Sequence, residues 1–274
     1  MSRYGAANVV KIKDMQKRLL ALETSDVSGS VALYCGDERI DLRALPNDQR
    51  SAQSLAPTMR AVLNDVGWRA SELDVVAVTI GPGSFTGLRV GVATAKAFAW
   101  AINASTVGVD TLDAIAFEIC ARAPFPDAAA TAAKVVLSVG VDAQRGDSAV
   151  RDYLLARDAS GRFARPERVE ERYRVVANKE WLSRASMESE VPTLFAGPGL
   201  RRVRNLASLA SADQLIDSEY WSPSADGVAL VAIPRIESGT FDDVWRLAPD
   251  YSRLAAAEEK ALAKEEALRA KVDS

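Results

Sequence analysis

The sequence of 274 residues has no histidine, two cysteines, 7% aromatic residues and no long hydrophobic run. Each shortage removes a class of chemistry. Without histidine the chain cannot build a Ser-His-Asp or Cys-His catalytic set, a His-ligated zinc, a proximal haem ligand or the His-Arg-Asp loop of a protein kinase. Chemistry here has to use carboxylates, hydroxyls, backbone amides or a partner. Cys35 and Cys120 lie far apart and form no Cys-x-x-Cys pair, which leaves neither a zinc ribbon nor a thioredoxin-type motif. Two buried thiols in a reducing cytosol are expected. The longest mostly apolar run, Val90 to Ile102, carries Lys96 and is too short for a bilayer. Met1 to Leu20 scatters Lys11, Lys13, Lys17 and Arg18 without an apolar signal core. A soluble cytoplasmic protein with no membrane partner is the expectation.

What is present is an apolar share of 48%, enough for one large domain or two ordinary lobes. The 34 Lys and Arg against 37 Asp and Glu give a net charge of −3, the wrong sign for gripping a polyanion unaided. Residues 151 to 204 run the other way, with 12 basic against 8 acidic side chains. Arg162 to Arg174 mixes both signs, as a solvated face does. Arg201, Arg202 and Arg204 form a compact basic cluster, which suits either a solvated surface or contact with RNA or phosphate.

Along the chain, Arg18 to Glu23, Ser30 to Tyr34 and Arg39 to Leu45 read as a three-stranded meander. Gln53 to Val66 then puts Leu55, Met59, Val62, Leu63 and Val66 on one helical face, ended by Gly67. Val75 to Ile80 is a strand of the kind buried on both faces. It runs into Gly81-Pro82-Gly83-Ser84-Phe85-Thr86-Gly87, followed by an Ala-rich helix from Leu88 to Asn103 and a strand from Val107 to Asp110. A second unit repeats the plan. Val135 to Asp142 is again a strand ending on an acid, and Thr193 to Ala196 enters Gly197-Pro198-Gly199. Glu23 to Gly81 spans 58 positions and Asp142 to Gly197 spans 55, which points to a duplicated α/β lobe.

The expected division is an N-terminal extension over 1–18, a first α/β lobe with the glycine loop over 19–115, and a second α/β lobe over 116–221. A C-terminal helix and tail over 222–254 pack back on the lobes, and 255–274 form a solvated helical extension.

Pro82 fixes its own φ, and three glycines allow close backbone approach in the loop. Ser84 and Thr86 are candidate caps for the helix, whose positive end, with Arg89 in its first turn, suits an anion. Known phosphate motifs fit poorly. A P-loop needs Gly-Lys-Ser/Thr, whereas Gly87 is followed by Leu88 and Arg89. A dinucleotide fingerprint would want glycine at Thr86. A nucleophile elbow at Ser84 lacks both its glycine pattern and a histidine. The other reading is a tight turn that aligns a buried strand with a buried helix.

The run Ile80-Gly-Pro-Gly-Ser-Phe-Thr-Gly-Leu-Arg-Val-Gly-Val-Ala-Thr-Ala-Lys96 resembles the signature of the bacterial TsaB (YeaZ) family of tRNA threonylcarbamoyladenosine biosynthesis proteins. Leu20-Ala-Leu-Glu-Thr-Ser25 with Ser30 to Leu33 resembles that family's first hairpin, and Leu247-Ala-Pro-Asp-Tyr-Ser-Arg253 its closing Pro-x-Tyr-x-Arg. The resemblance implies a two-lobed fold of the actin, Hsp70 and sugar-kinase type with RNase H-like lobes. It also implies a non-catalytic role. Such proteins lack the metal-binding His-x-x-x-His motif of the catalytic paralogue TsaD and pair with it during transfer of threonylcarbamoyl to the adenosine beside the anticodon.

Implied partners are a TsaD-like paralogue and a TsaE-like ATPase, tRNA through the complex alone, and a second copy when the partner is absent. The implied pairing surfaces are the two helices, with Leu55, Met59, Val62 and Lys96 as candidate contacts and the loop from Gly81 to Leu88 and Arg89 beside them. No cofactor is expected on the chain alone; ATP or ADP with Mg²⁺ is an expectation for the partner interface. Glu23 stands where the family usually has Asp, Ser51 where a His is common, and Asp142-Ala-Gln-Arg-Gly-Asp147 lacks the usual Val-Tyr.

Two other functions fit the same superfold. An independent kinase or ATPase would use Glu23 and Asp142 as cleft acids holding Mg²⁺, the alternative being polar strand ends. A glycoprotease-type peptidase would need metal ligands that a chain without histidine supplies poorly. The five tryptophans, Trp68, Trp100, Trp181, Trp221 and Trp245, read as lobe packing rather than base-stacking platforms.

Overall fold

A computed structural model describes residues 16–46, 51–186 and 189–251. The expected helix from Leu254 onward, Arg253 and most of the N-terminal extension lie outside the described residues.

The first lobe is built from β1 (Arg18–Glu23), β2 (Ser30–Cys35), β3 (Glu38–Ala44), α1 (Ser51–Asp65), β4 (Val75–Gly81), α2 (Phe85–Ile102) and β5 (Ser105–Asp110). Its sheet has the order β3-β2-β1-β4-β5, antiparallel through the meander and parallel from β1 to β4 to β5. This is the RNase H-like arrangement. Alternation along the buried strands divides their side chains between two cores. Leu20, Leu22, Val31, Leu33, Val76 and Val78 meet α1 and α2. Leu19, Ala21, Ala32, Val75, Ala77 and Val107 face the other way, onto α7 (Ala225–Glu237).

Before α7, the chain forms α3 (Thr111–Arg122), α4 (Asp127–Ala130), β6 (Lys134–Asp142), β7 (Asp147–Ala156), β8 (Glu167–Arg168), β9 (Arg174–Ala177), α5 (Asn178–Ser183), β10 (Thr193–Ala196) and α6 (Leu206–Leu209). The second sheet runs β10-β6-β7-β8, with β9 also on β7. As in the first lobe, the strand that ends on the acid pairs parallel with the strand that enters Gly-Pro-Gly. A parallel bridge from Phe195 to Leu215 stands where the first sheet has β5. The expected boundary at 115/116 falls inside α3, because that helix serves both lobes. Ala114 packs in the first-lobe core and Leu112, Ile115 and Ile119 in the second.

Close backbone packing dictates the glycines. A Cβ on Gly87 would lie 1.9 Å from the Thr24 carbonyl oxygen, and one on Gly91, a turn later, 2.2 Å from the Thr24 hydroxyl. The α2 backbone therefore rests directly on the β1–β2 turn. Gly81 (φ 126°) and Gly197 (φ 107°) share a left-handed backbone and abut carbonyls, of Asp250 and Gly140 respectively. Helix α2 starts at Phe85, earlier than the expected Leu88, because Ser84 is the cap and accepts the Gly87 N–H. Thr86 sits inside the first turn. Asn103 ends the helix in a left-handed conformation.

Candidate functional site

A cleft of about 550 Å³ opens between the lobes, lined by Ser25, Asp26, Gly83 to Thr86, Asp142, Gln144, Arg201 and Arg202, among others. It lies between the two Gly-Pro-Gly turns, where the duplicated sheets face each other. Two ion pairs close its chemistry. Arg201 reaches across the lobes to Asp26 at 3.0 Å, where Ser222 also donates, and Arg202 meets Asp142 at 3.3 Å.

Two donors of the glycine loop are spent locally. The Ser84 N–H donates to the Ser25 carbonyl at 2.7 Å and the Gly87 N–H to the Ser84 hydroxyl, while the Thr24 hydroxyl donates to the Gly87 carbonyl at 2.8 Å. Its far side is held by Asp250 and Tyr251. The Asp250 N–H donates to the Ile80 carbonyl at 2.6 Å. The Arg89 guanidinium lies 3.9 Å from the Phe85 ring centre and donates to the Tyr251 hydroxyl, whose ring packs 4.6 Å from Phe85. These contacts give Gly81, Pro82, Gly83, Phe85 and Arg89 structural work: they seat the strand-to-helix turn against the first hairpin and the closing segment.

Several expected site residues lie elsewhere than expected. Leu55, Met59, Val62 and Leu88 are buried in the core under α1 and α2, since the helices turn their large apolar stripe toward the sheet. Lys96 donates to the carbonyls of Trp245 and Leu247 at 3.1 and 2.8 Å, strapping the closing segment to α2. The outward faces carry Ala52, Ala56 and Pro57 on α1 and Ala93, Ala97 and Trp100 on α2, all exposed. Trp100 and Trp245 are 67% and 71% exposed and contact each other edge to face, 6.4 Å apart, so these two tryptophans are not lobe packing. Trp181 is, since it is buried and donates to Ser138. Cys35 and Cys120 are free and half-buried rather than buried.

Glu23 is a further correction. It is fully buried beneath the cleft, with Oε1 accepting from the Ser25 N–H, the Ser25 hydroxyl and the Thr79 hydroxyl, and Oε2 without a partner. Asp142 does line the cleft, where Arg202 holds it. Sequence reasoning missed Asp26 altogether, because a lone acid in a small polar turn carries no pattern.

The TsaD family model, described as tRNA N6-adenosine threonylcarbamoyltransferase, matches residues 47–201. The chain belongs to this family, as a TsaB (YeaZ) member. It is 26% identical to the tRNA threonylcarbamoyladenosine biosynthesis protein TsaB of Bacillus subtilis over 88% of this chain and 96% of that one. Against the Escherichia coli TsaB it is likewise 26% identical, over 90% of this chain and 100% of that one. The solved structure of YeaZ from Pseudomonas aeruginosa superposes with a TM-score of 0.65 at 21% identity, covering 86% of this chain and 99% of that one. The fold is thus the α/β, two-lobed, duplicated actin-like fold. Among the described residues no helix is long and apolar enough to cross a membrane.

Glu23 of this TsaB-family chain does not suit a Mg²⁺ ion, and two amides of the loop are closed to an anion. The loop amides of Ser84 and Gly87 are already donated. Burial, above all, pushes the Glu23 carboxyl up from 4.5 to about 8 despite the bonds from Ser25, which keeps it neutral near pH 7 and a poor cation ligand. The native state therefore holds this proton up to about pH 8, whereas the unfolded chain releases it near 4.5. Stability falls as pH rises between those values and levels off above them. Glu23→Gln removes the titration, at the cost of an extra unpaired amide hydrogen in the core. Urea midpoints of the two proteins should cross: wild type equal or better at pH 5, the variant ahead at pH 8.5 by on the order of 3 kcal/mol. Parallel curves would show that the carboxyl is ionised throughout.

Proposed function

We propose that this chain is a cytoplasmic subunit of the machinery that makes threonylcarbamoyladenosine in tRNA, and that it acts by pairing with a TsaD-class catalytic paralogue rather than by catalysing transfer itself. The observation that carries the reading is the near-full-length likeness to two proteins named for TsaB's part in that pathway. The inventory of side chains supports the non-catalytic half. The sequence supplies no histidine, two amides of its glycine loop are committed locally, and of its two strand-end acids one is buried and the other pairs with Arg202.

Pairing is served by what α1 and α2 leave outside. With their large residues committed to the core, the two neighbouring helices expose the small apolar side chains Ala52, Ala56, Ala93 and Ala97 among polar neighbours such as Gln53 and Arg60, bordered by the exposed Trp100. Small residues let another helix pair approach closely, and an exposed tryptophan supplies the kind of anchor that dominates interface energy. A partner that brings the metal, the nucleotide and the TsaE-like ATPase completes the reaction. Size exclusion with light scattering on the purified chain, its organism's TsaD and a mixture of the two tests this. A one-to-one complex is the expected result. Failure to associate at micromolar concentrations, with or without Mg²⁺ and ATP, rejects the proposal.

A further inference from the structure

A groove of about 770 Å³ on the second lobe, beside the inter-lobe cleft, has no part in the proposed function. The β6–β7 turn forms one wall, and the start of α5 with the turn before α6 forms the other. Arg145, Lys179, Arg202 and Arg204 line it against a single acid, Asp142, in a chain whose net charge is −3. Three separate stretches of sequence contribute these cations. The sequence shows only Arg201, Arg202 and Arg204 as a cluster. The fold splits that cluster, sending Arg201 to Asp26 and turning Arg202 and Arg204 into the groove with Lys179 and Arg145.

The rest of the lining is mostly polar, with Gln144, Asn178, Asn205 and Ser208. Asn178 is buried in that lining, and its carboxamide oxygen accepts the Ser148 hydroxyl at 2.7 Å. No aromatic ring and no buried charge line the depression. A nucleotide site would offer a surface for the base. An open trough of long, exposed cationic side chains with amide donors instead suits a run of backbone phosphates, where affinity is electrostatic and independent of sequence.

We infer that this groove is a contact site for the phosphodiester backbone of an RNA, held directly by this chain. The inference deepens the reading above, in which tRNA is the substrate of the complex, by assigning part of the RNA grip to the subunit without catalytic residues. Local charge of +4 against −1 overrides the unfavourable global sign because screening confines the field to roughly the groove's own dimensions, a Debye length of about 8 Å at physiological salt.

The test is fluorescence anisotropy of the full chain with labelled tRNA, across salt from about 50 to about 200 mM. The Lys179→Glu/Arg204→Glu protein is compared with Arg69→Glu/Arg246→Glu, which alters net charge equally on surfaces away from the groove. The expected result is binding by wild type and by the control pair, and an affinity lower by about tenfold or more in the groove variant. The slope of log affinity against log salt should also be shallower there by about two.

Equal loss in both variants would mean bulk charge alone, and no loss in the groove variant, or no binding by wild type, would also overturn the proposal. Displacement of the RNA by millimolar ATP at constant ionic strength would make the groove a nucleotide site and overturn it as well. Size exclusion of the same groove variant with the TsaD-class partner keeps the two readings apart. A groove variant that loses RNA yet still pairs supports both. A wild-type chain that binds RNA but never pairs rejects the proposed function and leaves the groove standing.

Discussion

Leu88→Asp is expected to abolish folding, whereas Ala97→Glu, less than three turns along the same helix, should fold normally and lose its partner. Leu88 is fully buried at the start of α2, against Gly81. Aspartate there loses the transfer energy of the leucine, opens a cavity and buries an unpaired carboxylate, a sum above about 4 kcal/mol and close to the whole stability of an ordinary domain. Ala97 is exposed, and glutamate is a good helix former, so its change in stability should stay within about 0.5 kcal/mol.

On the proposed pairing face, however, Ala97→Glu places a long charged side chain where a close-packed partner would sit. Thermal melts by circular dichroism and size exclusion with the TsaD-class protein separate the two outcomes. If Ala97→Glu pairs as wild type does, the outward face of α1 and α2 is not the interface.

That contrast marks where sequence stops and structure begins. The apolar spacing of Leu55, Met59 and Val62 was enough to define a helix and its heavy face, and Gly-Pro-Gly after an apolar strand was enough to place a strand-to-helix turn in each half. Periodicity shows that a helix has one apolar stripe but not whether a sheet or a partner covers it. Here the sheet takes the stripe, and the proposed pairing face is the exposed alanine side. Glu23 shows the same limit. A strand ending on an acid reads alike whether the acid looks into a cleft or folds back on Ser25 and Thr79. Alternation along the strand puts successive side chains on opposite faces, and only the twist and the next turn decide how deep the last one lies. The proposed RNA groove was legible only through Arg202 and Arg204, because Arg145 and Lys179 come from separate stretches with no spacing to read.

Nor does the sequence reveal the charged cluster that ties the lobes together, and its removal should be among the most damaging single changes outside the apolar core. Arg151, near the middle of β7, is 2% exposed and bridges the first lobe's Asp110 at 2.7 Å and Asp113 at 3.2 Å. Tyr153 donates to Asp113 at 2.7 Å, and Arg168 pairs with it from β8. Asp110 in turn caps α3 by accepting the Leu112 N–H at 2.8 Å. Burial and then the neighbouring Asp113 push the Asp110 carboxyl up from 3.8 to about 6, against the pull of Arg151.

Arg151→Ala leaves two buried carboxylates with one partly exposed arginine between them, and the expected loss is about 3–5 kcal/mol near neutral pH. The sign of its pH dependence follows from the same groups. Without Arg151 the native Asp110 pKa rises further above its unfolded value, so stability is lost as pH rises through that window and regained as pH falls. The deficit relative to wild type should therefore be larger at pH 8 than at pH 5 in urea denaturation. Arg43→Ala, which breaks exposed pairs with Asp41 and Asp65, should give no measurable change at either pH. A deficit for Arg151→Ala that is the same at both pH values would assign the loss to packing of the arginine stem rather than to the charges it holds.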